Sequence, residues 1–106
     1  MSEQKIMKQL ADNLKMEFGV KELSVYRGND KVFGKALDNA LIEKYFSLPC
    51  STVFKNTGGS TFVTRFLVGR DNYIIALYSD NTATFDGQEA EYIISDIKKL
   101  QRKLGE

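Results

Sequence analysis

The sequence predicts an α/β (α+β) domain in three layers, α-β-α, built in the order α-β-β-α-β-β-β-α around a five-stranded, mainly antiparallel sheet. Three observations carry that prediction. Amphipathic stretches of helical period stand at both ends of the chain and once near its middle. Between them run short extended segments punctuated by polar turns. Finally, the stretch "RFLVGRDNYIIALY" is apolar on nearly every position of its second arm. Side chains alternate across a strand, so such an arm needs cover on both faces, and a sheet apolar on both sides is normally sandwiched by helices.

The first element follows from Ile6, Leu10, Leu14 and Phe18, which recur every fourth residue with Met7 beside them. That spacing predicts a helix from Glu3 to Phe18, ended by Gly19, which accepts the left-handed conformation at no steric cost. Leu23, Val25 and Arg27 alternate with Ser24 and Tyr26. "GND" then turns the chain and "KVFGKAL" resumes an extended pattern, giving a hairpin of strands one and two. Asp38 is placed to cap a second helix. Its apolar residues are Leu41, Ile42, Tyr45, Phe46 and Leu48, and Pro49 stops it.

"STVFKN" reads as a short third strand whose Lys55 and Asn56 suit a sheet edge. "TGG" turns it into strand four, "STFVTRFLV", and "GRDN" turns again into strand five, "YIIALYS". On strand four Phe62, Phe66 and Val68 point one way, and Val63 and Leu67 the other. On strand five Tyr73, Ile75 and Leu77 oppose Ile74, Ala76 and Tyr78. These two strands are expected at the centre of the sheet. "DNTATFDG" is a loop, and from about Gln88 a last helix is set by Ala90, Ile93, Ile94, Ile97, Leu100 and Leu104, with Gly105 at its end. The long first and last helices share one face, and the shorter second helix lies on the other.

At 106 residues, 42% hydrophobic and 27% charged, the chain suits a single domain over 1–106 that holds together without metal or disulfide. Its one cysteine, Cys50, permits no internal disulfide and is expected as a buried or semi-buried thiol. No secretory signal or membrane-crossing run is present, so the expected location is cytoplasmic, with no membrane insertion. Fifteen basic residues against fourteen acidic ones give a net charge of +1, without the basic excess of a dedicated nucleic-acid binder. Lys98, Lys99, Arg102 and Lys103 are better explained as favourable charge at a helix C-terminus.

There is no histidine, which removes imidazole acid–base catalysis, Ser-His-Asp and Cys-His systems, and the commonest metal ligand. No catalytic, cofactor-binding or metal-binding residues are assigned, and the chain is read as a non-enzyme. "GNDKVFGKA" has one residue too many between its glycines for a phosphate-binding loop, and Ala36 stands where the hydroxyl should be. "NTGGST" is a hairpin turn. Tyr26, Phe33 and Phe85 read as exposed aromatics, able to meet a protein partner or to pack internally. An internal cavity lined by Arg65 or Tyr78 would point instead to a ligand-binding domain or a small enzyme.

The order of elements and the run from Thr52 to Leu104 resemble the roadblock/dynein light chain family. The local matches are "VTRFLVG", "GRDN", "YIIALYSD" and "EAEYIISDIKKLQRKL", with "LSVYRGNDKVFGKAL" resembling the hairpin after the family's first helix. Profilin and longin domains share much of this layout. The roadblock resemblance implies a homodimeric scaffold that joins two sheets through the second helix and third strand. It also implies a partner such as a small Ras-like GTPase, another regulatory protein, or a motility or trafficking complex. Carried onto this chain, the pairing surface is Leu41, Ile42, Tyr45, Phe46, Thr52, Val53 and Phe54. The same residues are also suited to packing a monomer core. A profilin- or longin-like module would be a monomer that recognises cytoskeletal or trafficking proteins.

Overall fold

In the computed structural model, which describes residues 2–106, the chain forms α1 (Glu3–Phe18), β1 (Glu22–Arg27), β2 (Asp30–Gly34), α2 (Asn39–Phe46), β3 (Thr52–Asn56), β4 (Gly59–Val68), β5 (Asp71–Ser79) and α3 (Gly87–Leu104). Helix α1 begins where the Ser2 side chain accepts from the Lys5 amide and ends at Gly19, whose left-handed backbone returns its N–H to Leu14 and Lys15. Its buried stripe is Ile6, Met7, Leu10 and Leu14. Helix α2 is capped by Asp38, whose carboxylate accepts from the Leu41 amide at 2.9 Å. It stops at Phe46, so Leu48 lies in the connection that follows.

All strand pairs are antiparallel, in the order β2-β1-β5-β4-β3. Strand β5 is the centre of the sheet, with β1 and β4 as its neighbours. The β1–β5 register sets Val25 against Ile75 and Tyr26 against Ile74. The β4–β5 register sets Phe62 against Leu77 and Val63 against Ala76.

Both faces of the central strands are covered. On one, α1 and α3 lie side by side over Val25, Phe62, Phe66, Tyr73, Ile75 and Leu77. The Phe66 and Tyr73 rings stack there 5.1 Å apart. On the other, α2 brings Ile42 and Tyr45 onto Tyr26, Val63, Ile74 and Ala76. Ile74, Ile75 and Leu77 are wholly buried, each burial contributing about 1.5–3 kcal/mol. The three-layer α-β-α arrangement is therefore the fold.

Several local expectations change. Leu67 points to the α2 face as its strand parity requires, yet α2 is too short to reach it, and it stays 58% exposed. Tyr26 and Phe85 are buried. The Tyr26 hydroxyl accepts from the Leu37 amide at 2.8 Å and donates to the Leu37 carbonyl, pinning the β2–α2 connection. The Phe85 ring stacks on Phe62 at 5.7 Å, so the loop before α3 contributes to the core. Strand β2 ends at Gly34, short of the predicted extension through Leu37. Gly34 has φ +87°, and a Cβ there would lie 1.8 Å from the Leu23 carbonyl oxygen. Only glycine fits that crossing.

Candidate functional site

The two ends of the sheet differ in how well they resist further pairing. A free strand edge presents unpaired amides and carbonyls, and proteins blunt it with charges, bulges or cover. Edge β2 is blunted: its register with β1 shifts between Val25 and Tyr26, and its exposed first residues are Asp30 and Lys31. Edge β3 pairs with β4 in regular register from Thr52–Val63 to Asn56–Gly59. Its sequence, Thr-Val-Phe-Lys-Asn, has one charge. That charge is held against α3, with the Lys55 ammonium 2.7 Å from the carboxylate of Asp86.

Strand parity divides the β3 side chains. Val53 packs toward the α1/α3 side with Phe62 opposite it. Thr52 and Phe54 face α2. The Phe54 ring is 6.0 Å from the Tyr45 ring and carries the Lys44 ammonium 4.7 Å above it, a cation–π contact. Burial and the nearby charge of Asp38 push the Tyr45 phenol above its ordinary range.

The seven residues expected to form a pairing surface therefore fall into two groups. Ile42 and Tyr45 are 2% and 8% exposed and belong to the core of this chain. Leu41, Phe46, Thr52, Val53 and Phe54 are half-buried. Together with Leu48 they leave an apolar margin along α2 and the β3 edge. Leu48 and Lys55, read from sequence on the second helix and at the sheet edge, complete that margin together with Lys44, which was not singled out. Lys44 reads there as a solvated helix charge, because its contact with Phe54 joins two separate elements.

Cys50 is exposed, contrary to the buried thiol expected. It stands with Pro49, Ser51, Thr64, Arg65 and Leu67 on an open groove of about 590 Å³, beyond the C-terminus of α2. The Arg65 guanidinium donates to the Phe46 carbonyl at 2.8 Å, satisfying the last turn of that helix. Tyr78 lines a smaller depression of about 140 Å³ with Tyr45 and Leu37, and donates to the Gly58 carbonyl. Both are surface features, not internal cavities. Among the described residues, no buried side-chain polar atom lacks a partner, and no cluster of His, Cys, Asp or Glu has the make-up of a metal site. Among them too, no helix is long and apolar enough to cross a membrane.

The chemistry this surface offers is main-chain hydrogen bonding along β3 beside a strip of apolar side chains. That is the equipment for adding a strand from another chain. No protein-family model matches the sequence, and no curated protein matches it.

Proposed function

We propose that this protein is a non-enzymatic, roadblock-like homodimeric adaptor of the cytoplasm that binds a small Ras-like GTPase or another regulatory protein of a motility or trafficking complex. The observation that carries the reading is the unguarded β3 edge beside the half-buried margin of α2. A second copy docked there extends both sheets into one and covers Phe46 and Phe54. The likeness to roadblock domains rests on the order α-β-β-α-β-β-β-α, and the choice of a GTPase partner rests on that likeness.

Sedimentation equilibrium at micromolar concentration tests the first part, with a species of twice the 12.0 kDa chain mass expected. Replacing both Phe46 and Phe54 with glutamate should give a monomer with unchanged far-ultraviolet circular dichroism, because both side chains are only partly buried within the chain. Loss of the helical and sheet signal would assign them to the core instead. Pull-down with GTP- and GDP-loaded Ras-like GTPases tests the second part.

A monomeric profilin- or longin-like module for cytoskeletal or trafficking partners is the other reading. It is favoured by the way Lys44 and Tyr45 already cover Phe54 from within the chain. A monomer that resists association would select it.

A further inference from the structure

We infer that the outer edge of β4 from Arg65 to Leu67 binds a short extended peptide, paired antiparallel, with an acidic side chain opposite Arg65 and an apolar one opposite Leu67. This stretch lies past the start of β3, so it is a surface separate from the β3 edge and does not depend on the homodimer.

Two hairpins fix which way the main chain of β4 faces. Asn56 pairs with Gly59 across the turn Thr57-Gly58, and Val68 pairs with Asp71 across Gly69-Arg70. Such short turns close on hydrogen-bonded pairs, and bonded and non-bonded pairs then alternate along an antiparallel ladder. Gly59, Thr61 and Val63 therefore bond to β3, while Thr64, Phe66 and Val68 bond to β5. By the same alternation Arg65 and Leu67 turn their amides and carbonyls to the β3 side. Strand β3 never reaches them, because it begins at Thr52, opposite Val63.

The connection before β3 does not take its place. The Ser51 and Thr64 hydroxyls meet at 2.6 Å, and the Cys50 carbonyl is turned back onto the Thr52 hydroxyl at 2.9 Å. Among the described residues, the one bond to these outward groups comes from the Gln101 side chain, which donates to the Leu67 carbonyl at 2.7 Å. The Arg65 amide and carbonyl and the Leu67 amide are left for a strand from outside.

The side chains decide what kind of strand fits. Arg65 and Leu67 both point to the α2 face, onto the open groove beyond the end of that helix. Arg65 is the only charged residue lining that groove, and it belongs to none of the ion pairs among the described residues. One guanidinium N–H is used on the Phe46 carbonyl, and the rest of the fork is free for a carboxylate. Leu67, 58% exposed, offers an apolar contact beside it.

Every pairing in this sheet is antiparallel, the sense that is also more stable per residue. In that sense the residue opposite Leu67 comes two positions before the residue opposite Arg65. The peptide therefore reads apolar-x-acidic from its N-terminal side, with the middle side chain on the other face. Opposite charges directly across a strand pair are favourable. Ser51 against Thr64 ends the pairing, so the edge takes a strand of this length and no longer.

Amide NMR on the isotope-labelled chain, titrated with acetyl-Ser-Leu-Thr-Glu-Ser-amide to millimolar concentration, reads the site residue by residue. The Arg65 and Leu67 amides should shift saturably while those of β2 stay in place. The same peptide with Gln for Glu should bind up to about fivefold more weakly, the worth of one exposed ion pair. Leu67→Ser, a surface change, should weaken the first peptide by a similar factor and leave the remaining spectrum unchanged. Equal binding of the Glu and Gln peptides overturns the acidic preference, and unchanged binding to Leu67→Ser overturns the apolar one. Stronger binding of a peptide with Leu and Glu exchanged overturns the antiparallel register. No saturable shift at Arg65 and Leu67 overturns the site. Shifts there that follow protein concentration without peptide assign the edge to a second copy and overturn the peptide as its occupant.

Discussion

Leu67 and Leu77 stand on adjacent strands and on opposite faces of the sheet, and their fates follow from how far the helices on each face extend. Leu77 is wholly buried under α1 and α3, whereas Leu67 points past the end of α2 into solvent. Truncating Leu77 to alanine removes buried methyl groups and leaves a cavity, which costs about 2–5 kcal/mol. Replacing Leu67 with serine removes only exposed surface, and its effect stays within about 0.5 kcal/mol. Denaturant unfolding of the two variants checks the contrast, and comparable losses would mean that something in the monomer covers Leu67. Strand parity was legible from sequence at both positions. Burial was not, because the alternation says which face a residue serves and nothing about how far the covering helix extends. Cys50 and Phe85 teach the same lesson in reverse. A small thiol after proline looks suited to the interior, and a phenylalanine in a polar loop looks suited to the surface. Contacts across the chain decided otherwise, with Phe85 brought onto Phe62 and Cys50 left at the groove rim.

At the scale of elements, the helix periods and turn residues were enough to place every helix and strand in its order. α1 is bounded by the residues its stripe and Gly19 imply. The candidate site was less legible: the roadblock resemblance pointed to seven residues of the second helix and third strand, but the sharing of Ile42 and Tyr45 with the core depended on packing against Tyr26 and Ile74. Tyr45 supplies a titration test of that packing. Its phenol is held above its ordinary value of 10.0, chiefly by burial and then by Asp38, so the folded chain prefers the protonated form. The stabilisation is complete below pH 10.0 and is lost as pH rises through the higher folded value. Tyr45→Phe cannot ionise there, and its stability should fall less steeply than that of the wild type above pH 10.0, as followed by thermal unfolding across a pH series. Parallel curves for the two proteins would place the Tyr45 hydroxyl in solvent.

Across the whole molecule, protection should grade outward from β5. Its ladder is flanked by β1 and β4 and roofed on both faces, so its amides exchange only through global opening. Asn56 and Gly59 close a two-residue hairpin as a bonded pair, so by alternation the amides of Val53 and Lys55 turn to the open edge and are the informative ones. In the proposed homodimer, paired along β3, they are bonded, whereas in a monomer they are free. Their hydrogen exchange should therefore slow as protein concentration rises, while that of β2, at the other edge, should not change. Exchange at Val53 and Lys55 that ignores concentration would count against pairing along β3.

The central place of β5 also bears on how the chain is made. Strands β1 and β2 are synthesised early, yet the inner edge of β1 is completed only by β5, which joins Leu23 to Leu77 across about half of the sequence. A ribosome must therefore release the segment through Ser79 before the first hairpin finds its permanent neighbour. Until then its inner edge is open to chaperones or to mispairing with other nascent chains.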